Sequence, residues 1–191
     1  MRYYPVFLDL RDRPCLVIGN GPMADDKASL LERAGADVRR TDNFNPEIAR
    51  DCFLLVAVVN DPEQGRHLKT FGDHHRIFVN VVDQTDNCTF IAPAIVDRGN
   101  LLIAVSTSGK SPALASRIRR DLENQFSAAY SELLEILGEI RPHVKKVFSS
   151  FEERKKFYAN LVKQDLLKIL DREGRNSLKM EIQKQLKGDP Q

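Results

Sequence analysis

Gly19-Asn20-Gly21-Pro22-Met23-Ala24 fits the pattern G-x-G-x-x-(G/A), a turn that brings backbone amides up to a pyrophosphate. Gly19 would permit the tight turn, Gly21 would put no side chain between helix amides and ligand, and Ala24 would let the helix lie close to the strand. A plain glycine turn is the alternative. Pro22 suits either, because the N–H it lacks would go unpaired in a first helical turn. About 20 residues further on, where such sites hold the ribose hydroxyls, stand Asp42, Asn43 and Phe44 after Arg39 and Arg40. Asp42 is the acceptor expected for NAD, and it outweighs the arginines, which would suit the 2′-phosphate of NADP or merely cover a solvent edge.

A second group of candidates lies where apolar runs end. Asp83 closes the run Val79-Asn80-Val81-Val82 and is the best single candidate for an acid or base; otherwise it starts a loop or caps the next element. Asn60, ending the run before it, is expected at the same ligand-binding edge, or in a turn leading to a helix. The loop Ser106-Thr107-Ser108-Gly109-Lys110-Ser111-Pro112 lacks the upstream glycine of G-x-x-x-x-G-K-(S/T), which excludes an NTPase phosphate loop. Ser108, Lys110 and Ser111 could meet substrate carboxylates, or Ser111 could simply cap a helix with Pro112 in its first turn.

Several chemistries find no support. His67, His74, His75 and His143 have no metal-ligand spacing, and Cys15, Cys52 and Cys88 form no C-x-x-C, so neither a metal site nor a disulfide framework is expected. Cys15 and Cys52 read as small apolar strand residues. Twenty-nine Lys and Arg against 27 Asp and Glu give a formal charge of +2, with no global case for nucleic acid. The basic runs around Arg117, Lys145 and Arg154 read as exposed helix faces. The N-terminus lacks a signal pattern and no apolar run approaches the roughly 20 residues of a membrane span, so a cytoplasmic protein without membrane contact is expected.

The elements that must position these residues alternate. Strands are expected at 14–19, 36–40, 52–59 and 77–82, with helices at 24–34, 46–50 and 63–75 between them. Strand and helix in alternation imply a Rossmann-like parallel α/β sheet, doubly wound. Strands over 89–96 and 101–106, joined at 98–100, would form a hairpin. Helices are then expected at 112–138, 141–148, 151–171 and 177–187. The domain division expected is 1–110, a dinucleotide-binding domain whose last strands contribute to dimerisation, and 111–191, a helical dimerisation and C-terminal region.

Pro5-Val6-Phe7-Leu8-Asp9-Leu10, Val17-Ile18-Gly19-Asn20-Gly21 with Lys27, Asn80-Val81-Val82-Asp83, Phe90-Ile91-Ala92-Pro93-Ala94 and Ser111-Pro112 together resemble the precorrin-2 dehydrogenases of siroheme synthesis, some of which are also sirohydrochlorin ferrochelatases. The resemblance covers about residues 3–125. It implies a Rossmann-type domain, a dimerisation region with exchanged elements, a helical C-terminal domain, a homodimer, and NAD-dependent oxidation of precorrin-2 to sirohydrochlorin. It further implies that Asp83 is the general base, serving iron insertion too in bifunctional members, and that Ser111 lies in the tetrapyrrole pocket. Asn20 and Asp26 depart from the family pattern, and only about a dozen residues separate Arg40 from the Cys52 run, where relatives carry another strand and helix. A sheet one strand short and a thinner adenosine side of the pocket are expected. The competing reading is a non-catalytic dimeric module that holds a tetrapyrrole or nucleotide beside a pathway enzyme.

Overall fold

The apolar runs leave little choice of architecture. Cys15 to Ile18 and Leu54 to Ala57 are apolar at every position, and a strand buries both faces only between two layers of helices. The computed structural model describes residues 2–188. In it β1 (Pro14–Ile18), β2 (Asp37–Thr41), β3 (Leu54–Ala57) and β4 (Phe78–Val81) form one parallel sheet in the order β2-β1-β3-β4. Leu16, Ile18, Leu55, Ala57, Val79 and Val81 face α2 (Pro46–Ala49) and α3 (Pro62–His75), where they meet Ala49 and Leu68. Cys15, Val17, Leu54 and Val56 face the other way, onto Ala24, Ala28 and Leu31 of α1 (Pro22–Arg33). Each fully buried aliphatic side chain of these layers contributes about 1.5–3 kcal/mol. The expected strand and helix order is therefore the one found. Burial pushes the Cys15 thiol up to about 11, and those of Cys52 and Cys88 upward as well, so all three stay protonated small residues at neutral pH.

The chain divides into two compact units. The first runs to Pro93 and takes in Ser106–Pro112; the second comprises Ala94–Val105 and everything from Ala113 on. The hairpin β5 (Ala94–Arg98) and β6 (Leu101–Val105), which sequence reading places in the first domain, thus belongs with the helices. Its contacts explain why. The Arg98 guanidinium donates to Phe126 O (2.9 Å) and Glu123 O (3.1 Å), answering the terminal carbonyls of α4 (Pro112–Gln125). A Cβ on Gly99 would come within 2.6 Å of Ser131 Oγ, so the hairpin turn rests directly on the start of α5 (Ala129–Val147).

Four boundaries differ from the sequence reading. Residues 89–93 are not strand: Pro93 has no N–H for a ladder, and Thr89 instead pairs with the edge of β4, its N–H donating to Val79 O (2.8 Å). The helix expected over 112–138 breaks after Gln125, where Arg98 takes up its carbonyls. Across Gly138 and Pro142, where a break is expected, α5 is continuous. Leu133, Ile136, Ile140 and Val144 recur at helical spacing through that stretch and bury against Leu170, Leu178 and Ile182, which outweighs the roughly 3 kcal/mol cost of an internal proline. The helix expected over 151–171 is two, α6 (Phe151–Leu161) and the start of α7 (Leu166–Leu186), and α7 is interrupted at Gly174 (φ 78°, ψ 174°). No described helix is long and apolar enough to cross a membrane.

Gly72 lets α3 lie close on β4: a Cβ there would stand 2.2 Å from Val79 Cγ2 and 3.1 Å from Ile77 O. Gly72→Ala must push α3 off β4, so a loss of about 1–3 kcal/mol is expected in urea unfolding; a midpoint unchanged from the parent would contradict this packing.

Candidate functional site

Strand order reverses between β1 and β3, because the chain leaves β1 for β2 on one side and returns to β3 on the other. The carboxyl ends of these two strands flank the crevice in which open α/β sheets hold ligands. At that point the backbones nearly touch. A Cβ on Gly19 (φ 108°) would lie 2.6 Å from Val58 O, while the Gly19 N–H donates to Thr41 O (2.9 Å) and Val58 N–H to Ile18 O (2.8 Å). Glycine is required there by contact as well as by φ.

Gly21 is required by conformation alone: φ is 82°, and a Cβ would meet nothing within 4 Å. It precedes α1, whose N-terminus carries no side-chain cap, with Pro22 in the first turn. The first-turn amides thus face open space, which is what an anion at a helix N-terminus needs. Asn20 and Pro22 are exposed, Met23 is 45% exposed, and Ala24 is fully buried against the sheet. At the neighbouring end of β2, Asp42 and Asn43 are exposed, the Thr41 hydroxyl is buried without a partner among the described residues, and the Arg40 guanidinium is paired with Asp25 in the first turn of α1. An open glycine corner, uncapped amides and an orphaned hydroxyl fit a dinucleotide.

Phe44 stands apart from this group. Its half-buried ring packs edge-on against Phe71 (5.1 Å) and His67 (5.4 Å) of α3 and joins the core on that face.

Asp83 lies exposed at the end of β4 with φ 61°. A non-glycine residue in this left-handed region is uncommon, although aspartate tolerates it, and such residues persist only where their surroundings hold them. The holding residue is Gln84. Its Nε2 donates to Val59 O (3.0 Å), its Oε1 accepts from Asn87 Nδ2 (2.8 Å), and its N–H donates to Val81 O (3.1 Å). These bonds fix the turn after Asp83 to the loop that ends β3, where Asn60 is exposed and Asp61 caps α3 by accepting from Glu63 N–H (2.9 Å). Gly65 makes the clamp possible, since a Cβ there would stand 2.0 Å from Gln84 Oε1. Within the strand, Asn80 is buried and donates to Phe90 O (3.1 Å), tying the two family-like motifs together. Sequence reading did not single out Gln84, Gly65 or Asn87; polar residues in a loop and a glycine in a helix carry no local signal of a clamp.

The third group folds onto the same turn. Thr107 Oγ1 accepts from Ser111 N–H (3.2 Å) and donates to Ser111 O (3.1 Å), closing a loop in which Ser108 (φ 56°) and Gly109 (φ 78°) are left-handed. A Cβ on Gly109 would stand 3.0 Å from Thr85 Oγ1. Ser108, Lys110 and Ser111 are thereby brought beside the turn that carries Asp83, although far from it in sequence. Among the described residues no group of three or more His, Cys, Asp or Glu side chains is placed to hold a metal ion.

Three family models match the chain nearly end to end: "Putative NAD(P)-binding" over residues 6–94, "Sirohaem biosynthesis protein central" over 98–125, and "Sirohaem synthase dimerisation region" over 129–186. Siroheme synthase 1 of Pectobacterium atrosepticum is 35% identical over 84% of this chain, and the siroheme synthase of Methylobacillus flagellatus 37% identical over 84%. The chain spans 38% and 39% of their respective lengths. Among solved structures, one described as "SirC, precorrin-2 dehydrogenase" shares the fold with TM-score 0.64 and 24% identity, covering 97% of this chain and 100% of that one.

The two turn glycines separate stability from binding. Gly19→Ala drives a methyl against Val58 O on top of a positive φ and should lower the unfolding midpoint by more than Gly21→Ala, whose cost is the roughly 1–3 kcal/mol of holding a Cβ-bearing residue at φ 82°, ψ −179°, a region essentially confined to glycine. Gly21→Ala nonetheless fills the space before the α1 amides, so calorimetric titration should show at least tenfold weaker dinucleotide binding. Equal affinity of Gly21→Ala and parent would remove the pyrophosphate from this corner.

Proposed function

The chain belongs to the sirohaem synthase family, and from that premise we propose that it oxidises precorrin-2 to sirohydrochlorin with NAD, as a homodimer. The observation that carries the reading is the convergence of the left-handed, exposed Asp83 and the Ser108–Ser111 loop on the sheet edge that also holds the glycine corner.

The oxidation removes a hydride and a proton from adjacent parts of the substrate. Bound nicotinamide supplies the hydride acceptor. Asp83 takes the proton: its carboxylate is exposed at the strand end, and the Gln84 bonds hold its backbone, so no rearrangement is needed when the substrate arrives. Lys110, exposed on the loop beside that turn, meets a carboxylate of the substrate, and Ser108 and Ser111 offer hydroxyls to the same acidic periphery. Gly19, Asn20, Gly21, Pro22 and Met23 form the pyrophosphate corner, and Asn60 lies on the opposite lip of the crevice.

Preference for NAD over NADP rests on the pairing at the end of β2. Arg40, the arginine that would meet a 2′-phosphate, is engaged with Asp25, while Asp42 is exposed and ready to accept ribose hydroxyls. A carboxylate at that position repels an added phosphate. The Arg40 to β3 connection is short, and within it Asn45 caps α2 by accepting from Glu47 N–H (2.9 Å).

Two measurements test this reading. Purified protein with precorrin-2 and NAD should develop sirohydrochlorin absorbance, and Asp83→Asn should lower that rate at least a hundredfold while leaving NAD affinity within twofold. No conversion by the parent with either NAD or NADP, together with retained ligand binding, would favour the non-catalytic module. Separately, Asp42→Ala should weaken NAD about tenfold and narrow the ratio between NAD and NADP affinities; an unaltered ratio would place the ribose elsewhere.

A further inference from the structure

The second unit sorts its charges by face. On the side where α5 meets α7, Arg175 bonds Glu135 (3.1 Å) and Glu139 (2.5 Å), and Lys179 also pairs with Glu139. Where α5 meets α6 the arrangement is opposite. There an open groove of about 600 Å³ has an apolar floor that includes Leu134 and Leu137, and Phe151 at its rim is 68% exposed. Arg141 and Lys145 stand along its α5 side, Arg154 and Lys155 along its α6 side, and among the described residues no carboxylate lines it. None of these four cations forms an ion pair among the described residues; Arg154 donates only to the carbonyls of Phe148 (2.9 Å) and Ser149 (2.6 Å), which holds it in place. Tyr158 also lines the groove, and its hydroxyl is buried without a hydrogen-bond partner among the described residues. A buried orphan hydroxyl is an unmet hydrogen-bonding demand that a ligand atom could answer.

The geometry points to a second ligand site in this groove, for an apolar molecule bearing carboxylates on opposite edges. The volume is that of a small-molecule site, for which about 300–1,000 Å³ is usual. Cations on both walls call for anionic groups on both edges of the occupant, which sets aside lipids and nucleotides, whose charge lies at one end. The same groove of a second copy is not the occupant, because a two-fold contact there would set four unpaired cations against four. The long side chains lay their methylenes on the apolar floor while their charged ends bind the carboxylates.

Coproporphyrin III, a flat apolar macrocycle with four carboxylates, is a suitable probe, with its uncharged tetramethyl ester as control. Titration of the full chain, followed by porphyrin absorbance, should show binding that falls at least tenfold in Arg141→Gln/Lys145→Gln and about threefold in Tyr158→Phe. Thermal midpoint and mass by light scattering should stay at the parent values, and the ester should bind at least tenfold more weakly than the acid. Loss of affinity in Lys110→Gln but not in Arg141→Gln/Lys145→Gln would assign the porphyrin to the loop beside Asp83, overturning the groove while leaving the proposed reaction intact. Equal binding of the ester would overturn the charge pairing. A halved mass in the groove variant would make this surface an interface between copies and overturn the site.

Discussion

The contact between Gly19 and the Val58 carbonyl is the constraint on which the first unit depends. Two parallel strands feeding connections on opposite sides of a sheet leave a crevice at their carboxyl ends, and the depth of that crevice is set by how closely the strand ends approach. Here the approach excludes a methyl group. It sets the direction in which the chain leaves β1, the exposure of the α1 amides, and the placing of Asp42 and Asn60 on the two lips. The layers of aliphatic side chains above and below the sheet hold the strands together; this single contact decides where they part.

The second unit is held by different means. Its core is a continuous apolar seam from Leu133 to Val144 on α5, matched by Leu170, Leu178 and Ile182 on α7 and closed by Leu161 of α6. The seam is strong enough to carry α5 through Pro142, and the Arg175 and Lys179 pairs fix its register on one side. Exposed pairs of this kind contribute little to stability singly, usually below about 1 kcal/mol. Their larger effect is to neutralise the acidic residues of α5 and leave the basic ones unbalanced on the far side.

Much of this was legible in the residues. Apolar runs without polar interruption announced buried parallel strands, and Gly19-Asn20-Gly21 between a strand and a helix announced the crevice. Local pattern misled where tertiary contacts override it. Proline in α5 reads as a break until its neighbours are seen to be buried. The hairpin was visible, but its association with the helices was not, because Arg98 reaches carbonyls some 25 residues away. Asp83 stood out at the end of its strand, whereas the clamp behind it joins two polar residues and a glycine from separate elements, and no spacing in the chain reports such a meeting.

That clamp binds two positions to a common history. The Gln84 amide fills the volume that any side chain at position 65 would claim, and Gly65 is tolerated inside α3, despite its roughly 1 kcal/mol disadvantage to a helix, because the amide lies there. A lineage that acquires alanine at 65 must release the glutamine, and one that shortens the glutamine uncovers a cavity over the glycine. Drift at either site is therefore concerted, and descendants of this chain should carry the pair together or have found another way to keep an aspartate in a left-handed turn.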